Sequence, residues 1–408
     1  MKSQSEPDSL RVTESFKAAF GGQPATIWSA PGRVNLIGEH VDYNGGPVLP
    51  FAIQQRSYIA AAANDRRVVR LSSRQFPDEP VEAELEDVRS FERRGAGAAL
   101  DEQPRFSGWS SYVLGVIWAL GRVGVEVPGL DIVVDGGVPV GAGLSSSAAL
   151  ECAAAGALAD IADARIPAPE RAGLAQHAEN DFVGVPCGIM DQMASSCAEA
   201  GHALLLDTLT CEIEQIPLDP SSAGYSMLVV DTGAAHGLVD GEYADRRASC
   251  EEAARLLGVG LLREVADRTA PDSEEAIASL RDPLLRRRAG HVVSEIARVN
   301  SAVDSLRNDD WAGLGQLMYA SHESLRHDFE VSSPQLDCAV DALRFAGALG
   351  ARLTGAGFGG SVVALISSAD LSAAVTEVEE AFARLGFASP RCNVAVPSGG
   401  ARRDTVAS

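Results

Sequence analysis

The chain has 408 residues with 34 basic and 56 acidic side chains, a formal charge of −22, enough length for two domains or one large α/β unit. That acidic excess argues against nucleic acid or an anionic membrane as a partner, and a composition 46% hydrophobic and 22% charged excludes a disordered chain. No eighteen-residue apolar run occurs, and the first ten residues lack the apolar stretch of a secretory signal, so the expected location is the cytoplasm.

In chain order, a short polar-faced helix is predicted over Ser9–Phe20. Strands follow at Thr26–Ser29, Ser57–Ala63, Arg67–Leu71 and Leu130–Val134, where Val and Ile lie between turn residues. The segment from Asp78 to Glu102 is acidic with a Gly/Ala patch and predicts a surface insertion. Gly108–Val123 carries Val113, Val116, Ile117 and Leu120 at helical spacing. Further helices are predicted at Ser145–Ala162, Pro167–Phe182, Glu242–Leu257, Pro283–Leu306, Pro334–Ala348 and Leu371–Leu385. A hairpin-like pair (Ala203–Leu206, Cys211–Ile216), a loop at Asp267–Glu275 and strands at Ser361–Ile366 and Asn393–Val396 complete the reading. Helix and strand mix without steady βαβ alternation, which favours an α+β fold. The turn beginning at Asp219 marks the expected boundary between domains 1–218 and 219–408.

Two scarcities narrow the chemistry. The seven cysteines are odd in number and contain no CxxC pair, as suits reduced thiols rather than a disulfide frame or zinc site. Lysine occurs only at Lys2 and Lys17, so a P-loop lysine, a protein-kinase lysine and a Schiff base are all excluded. An anionic substrate must then be met by arginine, backbone N–H groups, a helix dipole or a metal ion.

Four stretches carry candidate chemistry. Pro139–Glu151, PVGAGLSSSAALE, places Gly141 and Gly143 before Ser145, Ser146 and Ser147 and a helix-forming run. It reads either as an anion-binding helix start, with hydroxyls suited to Mg²⁺, or as a glycine turn with an ordinary serine N-cap. Leu353–Ser361, LTGAGFGGS, is a tight turn, a phosphate contact or a brace for the first glycine loop. Ser29–Pro47 crowds Arg33, Asn35, Glu39, His40, Asp42, Tyr43 and Asn44 among four glycines; it suits a polyhydroxyl ligand, with a metal site at Glu39, His40 and Asp42 or a polar hairpin turn as rival readings. Asp191 sits among Ile189, Met190 and Met193, either as an N-cap or as a shielded carboxylate needing an arginine partner.

Three of these stretches in this order, GRVNLIGEHVDYNGG (32–46), VGAGLSSSAALE and LTGAGFGG, resemble the galactokinase branch of the GHMP small-molecule kinases. VPCGIMDQMASS and HGLVDGEYADRRASCEEA (His236–Ala253) fit the same pattern. The chain departs from it with Val41 for threonine, Ala356 for glycine, Gly137 for an acidic residue and Gly233 for asparagine. The resemblance implies an N-terminal domain like ribosomal protein S5 domain 2, a ferredoxin-like C-terminal domain and an active site in the cleft between them. It implies Arg33 and Asp191 as the catalytic pair, with Glu39, His40, Asp42, Gly188 and Tyr243 as sugar binders. Gly141, Gly143, Ser145 and Ser146 would cradle the ATP phosphates, and Ser147 and Glu179 would hold Mg²⁺. The implied reaction is ATP-dependent phosphorylation of the galactose C1 hydroxyl; with no coiled coil or long apolar helix face in the sequence to demand a partner, a monomer is expected. A related kinase for N-acetylgalactosamine or arabinose, and a non-catalytic galactose/ATP sensor, are the alternatives.

Overall fold

The computed structural model describes residues 8–92, 106–234 and 239–405; Lys2, the far end of the acidic stretch and His236 lie outside the described residues. Strands run in the order β1 (Thr26–Asn35), β2 (Pro47–Val48), β3 (Pro50–Asn64), β4 (Val68–Ser73), β5 (Val81–Glu84), β6 (Gly129–Gly136), β7 (His202–Asp207) and β8 (Ile213–Pro217). After these come β9 (Tyr225–Asp231), β10 (Gly350–Thr354), β11 (Ser361–Ser367), β12 (Arg391–Ala395) and β13 (Arg402–Asp404). They form three sheets ordered β13-β1-β3-β6-β4-β5, β10-β11-β9-β12 and β2-β7-β8. Among the described residues, neighbouring strands pair antiparallel except β4 with β6, which run parallel. The α+β expectation holds.

The first sheet is backed by the helix Ser146–Ile161, which packs on β1 and β3. Seven of that helix's sixteen residues are alanine and Ala148–Ala159 is buried throughout; small side chains let helix and sheet approach closely. Gly156 marks the tightest point, since a Cβ there would lie 2.2 Å from the Trp28 ring. The four-stranded sheet is covered by helices including Pro334–Phe345 and Trp311–His327. One apolar cluster joins both sheets, with Val34, Leu36 and Phe51 packed beside Met227, Val229 and Leu365. The chain end also returns to the first sheet: β13 pairs with Ile27–Ser29, and the buried Arg56 guanidinium donates to the Gly399 and Gly400 carbonyls at 2.8 and 2.7 Å.

Several local expectations change. The acidic insertion contains β5 and the helix Leu85–Arg89, which bury Ala83, Leu85 and Val88; three apolar residues suffice to seat a charged segment on a sheet edge. The Asp267–Glu275 loop overlaps the helix Ala270–Ser279, opened by a proline in its first turn. Trp311–His327 is a helix absent from the sequence reading. The helix begun at Ala168 stays α-helical only to His177, then widens into a π-helical turn over Ala178–Val183.

Candidate active site

Arg33 extends from the last turnless stretch of β1, a strand that runs through Pro31 and Gly32 with a register shift there. Gly32 is required at that point, because a Cβ would meet the Leu144 carbonyl at 2.5 Å. This close approach brings the phosphate-loop candidate onto β1. The Arg33 side chain is buried, and its Nε and Nη2 donate to Asp191 Oδ1 and Oδ2 at 2.7 and 2.8 Å. Its Nη1 donates to the Gly143 carbonyl at 2.6 Å. A single guanidinium thus joins the carboxylate to the glycine loop in the planar, two-pronged geometry that arginine favours.

Asp191 lies in the first turn of the helix Met190–Cys197, whose N-cap is Ile189, so the N-cap reading of Asp191 is overturned. The serine N-cap reading fails too. Ser145 occupies the cap of the helix Ser146–Ile161 at φ +59° but makes no side-chain cap bond; its hydroxyl instead donates to Asp191 Oδ2 at 2.5 Å. A left-handed serine is an uncommon conformation, held here because Arg33 and Asp191 fix both sides of the loop. Gly141 and Gly143 also have positive φ, +76° and +72°, and Ser146 opens the helix, whose first N–H groups have no intrahelical acceptor.

Ser147 lies beside the Glu179 carboxylate, which accepts from Gln192 Nε2 at 2.7 Å. Glu179 sits in the π-helical turn, and burial raises its pKa. Beside it, Glu151 is fully buried with neither carboxylate oxygen hydrogen-bonded; burial, then the neighbouring Glu179 charge, pushes its pKa well up. Buried carboxylate oxygens short of donors, next to a hydroxyl, are a donor set that fits a hard cation. Among the described residues no group of three His, Cys, Asp or Glu side chains could hold a metal, so an ion at Ser147 and Glu179 would draw its other ligands from water or phosphate, as Mg²⁺ does.

Facing the glycine loop is a cavity of about 210 Å³ whose wall includes Arg33, Glu39, His40, Asp42, Glu179, Gly188, Asp191 and Tyr243. Glycine at 188 is obligatory, since a Cβ would fall 1.7 Å from Asp42 Oδ2. Burial raises the Asp42 pKa to about 6, with the Asp191 charge adding to it. Glu39 is 2% exposed and accepts from the Gly355 N–H at 2.7 Å and from Asn35 Nδ2. The left-handed His40 (φ +64°) has both ring nitrogens engaged, Nε2 with the Ala356 carbonyl at 3.1 Å and Nδ1 with Tyr43 Oη at 3.0 Å. A carbonyl only accepts, so Nε2 carries the proton and Nδ1 accepts; burial drops the imidazole pKa to about 3. Both His40 ring nitrogens are thus engaged by protein groups, and the imidazole forms part of the cavity wall together with Tyr243, whose ring lies 5.8 Å away. The metal reading of Glu39, His40 and Asp42 fails because these side chains diverge to different partners.

The third glycine stretch acts as a brace. A Cβ on Gly355 would lie 3.1 Å from the Gly143 carbonyl, and Ser361 Oγ donates to the Ala142 carbonyl at 2.7 Å. Sequence reasoning missed Glu151, hidden in an alanine run, and Gln192, whose only signal was its place next to Asp191.

A two-part α+β fold with a glycine–serine loop at a helix start, beside a cavity into which Arg33, Glu39, Asp42 and Asp191 are gathered, defines a small-molecule kinase. The family models agree: the GHMP kinases N terminal domain matches residues 111–199 and the GHMP kinases C terminal domain matches 302–384. The galactokinase galactose-binding signature matches residues 14–63. Galactokinase from Streptomyces coelicolor is 44% identical over 96% of this chain and 97% of its own, and that of Chloroflexus aurantiacus 41% identical over 90% of each. The crystal structure of Lactococcus lactis galactokinase complexed with galactose superposes with a TM-score of 0.86, at 32% identity over 96% of this chain and 99% of that one. A mevalonate kinase structure shares the fold, with a TM-score of 0.65 at 18% identity over 91% of this chain and 100% of its own. The chain belongs to the galactokinase family.

Proposed function

We propose that this chain transfers the γ-phosphoryl group of ATP to the C1 hydroxyl of galactose, releasing ADP and α-D-galactose 1-phosphate. The observation that carries the reading is Asp191, bound on one side by Arg33 and on the other by Ser145, at the junction of a polar cavity and the phosphate loop. The Lactococcus lactis relative is described with galactose bound, which supports the choice of sugar. An ionised carboxylate offers about four lone-pair sites; Arg33 and Ser145 use three, leaving one for a sugar hydroxyl.

In this reading Asp191 accepts the C1 hydroxyl hydrogen bond and takes the proton as the new O–P bond forms and the bond from Pγ to the β-phosphate oxygen breaks. Arg33 orients Asp191 and offsets negative charge as it develops. Glu39, His40, Asp42, the Gly188 backbone and Tyr243 hold the remaining sugar hydroxyls. Gly141, Gly143, Ser145 and Ser146 cradle the triphosphate with the N–H groups of the helix start, replacing the lysine of P-loop enzymes. Ser147 and Glu179 would hold Mg²⁺, which would supply neutralisation of the phosphate charge. Domains 1–218 and 219–408 each supply part of the wall, and one chain suffices.

A coupled ADP-release assay over galactose, N-acetylgalactosamine, arabinose and glucose tests the proposal. Galactose should give the highest kcat/KM, and purified Asp191→Ala should keep its fold while losing at least roughly 10²-fold in kcat. ATP binding without turnover of any sugar, or wild-type turnover in Asp191→Ala, would overturn it.

A further inference from the structure

Glu39 faces the cavity, and besides Asn35 the groups that grip it and its backbone come from the other half of the chain. Gly38 N–H donates to Glu295 Oε1 at 3.0 Å and the Glu39 carbonyl bonds His291 Nε2 at 3.1 Å. His291 and Glu295 lie one turn apart on the helix Pro283–Arg307. Arg352, on β10, is fully buried; its Nη1 donates to the Asn35 and Leu36 carbonyls at 3.1 and 3.3 Å and lies 3.5 Å from Glu39 Oε1. Its Nε donates to Ser321 Oγ at 3.1 Å, and that hydroxyl donates to Glu295 Oε1 at 2.7 Å. Arg352 Nη2, 4.0 Å from Glu295, has no hydrogen-bond partner.

A fully buried guanidinium is costly and is often replaceable by an apolar side chain without loss of stability. Here each of its contacts converges on residues 35–39 or on the carboxylate that holds Gly38. We propose that Arg352 and Glu295 are positioning residues for the sugar, an opposed charge pair in the C-terminal half that fixes the Gly38–Glu39 backbone and sets the ionisation of the Glu39 carboxylate. The inference rests on Glu39 binding the sugar.

Electrostatics gives the pair opposite signs. Burial raises the Glu39 pKa to about 7; Arg352 is the largest influence lowering it, Arg33 the next, while Glu295 raises it. The two imidazoles packed nearby, His40 and His291, are depressed by burial to about 3 and about 4 and stay neutral over the working range. Asp42, the other carboxyl of the pocket, is raised to about 6.

The test is the pH dependence of kcat/KM for the sugar at saturating ATP, which reports groups of the sugar-free enzyme. Glu39→Gln comes first and should raise sugar KM at least roughly tenfold with ATP KM within about twofold. An unchanged sugar KM would remove Glu39 from the sugar site, and the assignment above would fail whatever the network does. With Glu39→Gln effective, Arg352→Met should move the acid limb up by about one pH unit, Arg352→Lys should restore part of it, and Glu295→Gln should move the limb down. Neither shift should appear in a Glu39→Gln background, where Asp42 alone shapes the limb. Limbs that stay put, or that move the same way in both variants, would overturn the proposal. Should Arg352→Met fail to fold, the downward shift in Glu295→Gln decides, and its absence is fatal.

Discussion

Arg33 and Glu39 are four residues beyond and ten beyond Ser29 in one strand-and-turn segment, yet they answer to different physics. Arg33 has three of its nitrogens engaged, on Asp191 and the Gly143 carbonyl. Arg33→Ala would free Asp191 to rotate and leave Gly143 without its donor, so kcat should fall at least roughly 10²-fold with ATP KM changed far less. Steady-state kinetics checks this, and an effect confined to ATP KM would misplace the residue. Glu39 makes a stability prediction as well. Its folded pKa of about 7 stands above the ordinary 4.5, so the folded state holds that proton more tightly than the unfolded one. Stability from this group is full below pH 4.5 and is lost as pH rises through 7. Glu39→Gln should therefore be relatively more stable at pH 8 than at pH 5, the pH-dependent part being on the order of 3 kcal/mol, read from urea unfolding at the two values.

Among the elements, the turns decide how the site is assembled. Ser145 and His40 are left-handed residues with side chains, and each is held by a bond that leaves its own turn, to Asp191 and to Ala356. Gly188 stands where only a hydrogen fits against Asp42. Gly188→Ala should displace Asp42 and raise sugar KM by roughly tenfold or more, leaving ATP KM within about twofold; equal losses for both substrates would instead signal a general collapse. The glycine–serine loop was legible from its residues, but its partner was not. Serine beside a helix start predicts a cap from local preference, whereas the actual bond spans 46 positions to Asp191. The same limit hid β5 and the helix Leu85–Arg89 in the acidic stretch, whose few apolar residues give little periodic signal until β4 supplies the sheet edge.

Across the whole molecule, the C-terminal tail closes the N-terminal sheet. Beyond the Arg56 bonds, Ser398 N–H donates to the Ala52 carbonyl and Gly400 N–H to the Ala198 carbonyl, at 2.8 and 2.7 Å. Ending the chain after Val396 would remove β13 and strip the buried Arg56 of two acceptors. Each unsatisfied buried group costs about 1–3 kcal/mol, so the truncated chain should lose several kcal/mol in urea unfolding, and unchanged stability would show the tail to be dispensable. Loss of the tail acts at Ile27–Ser29, the end of β1 before Arg33, and none of these residues lines the cavity, so the remaining folded fraction should keep its substrate KM values.

The sequence by itself determined the acidic, lysine-free chemistry, the α+β class, the two glycine stretches and the residues that meet at the cavity, because composition, short-range periodicity and fixed spacing are properties of the chain read in order. The tertiary structure decided which side chains are free to act. It spent both nitrogens of His40 on Tyr43 and Ala356, turned Ser145 from a cap into a partner of Asp191, and set Arg352 and Glu295 behind Glu39. Most of these outcomes depend on close approaches between segments from 46 to more than 300 residues apart, where burial removes water and leaves each polar atom to the nearest protein donor or acceptor.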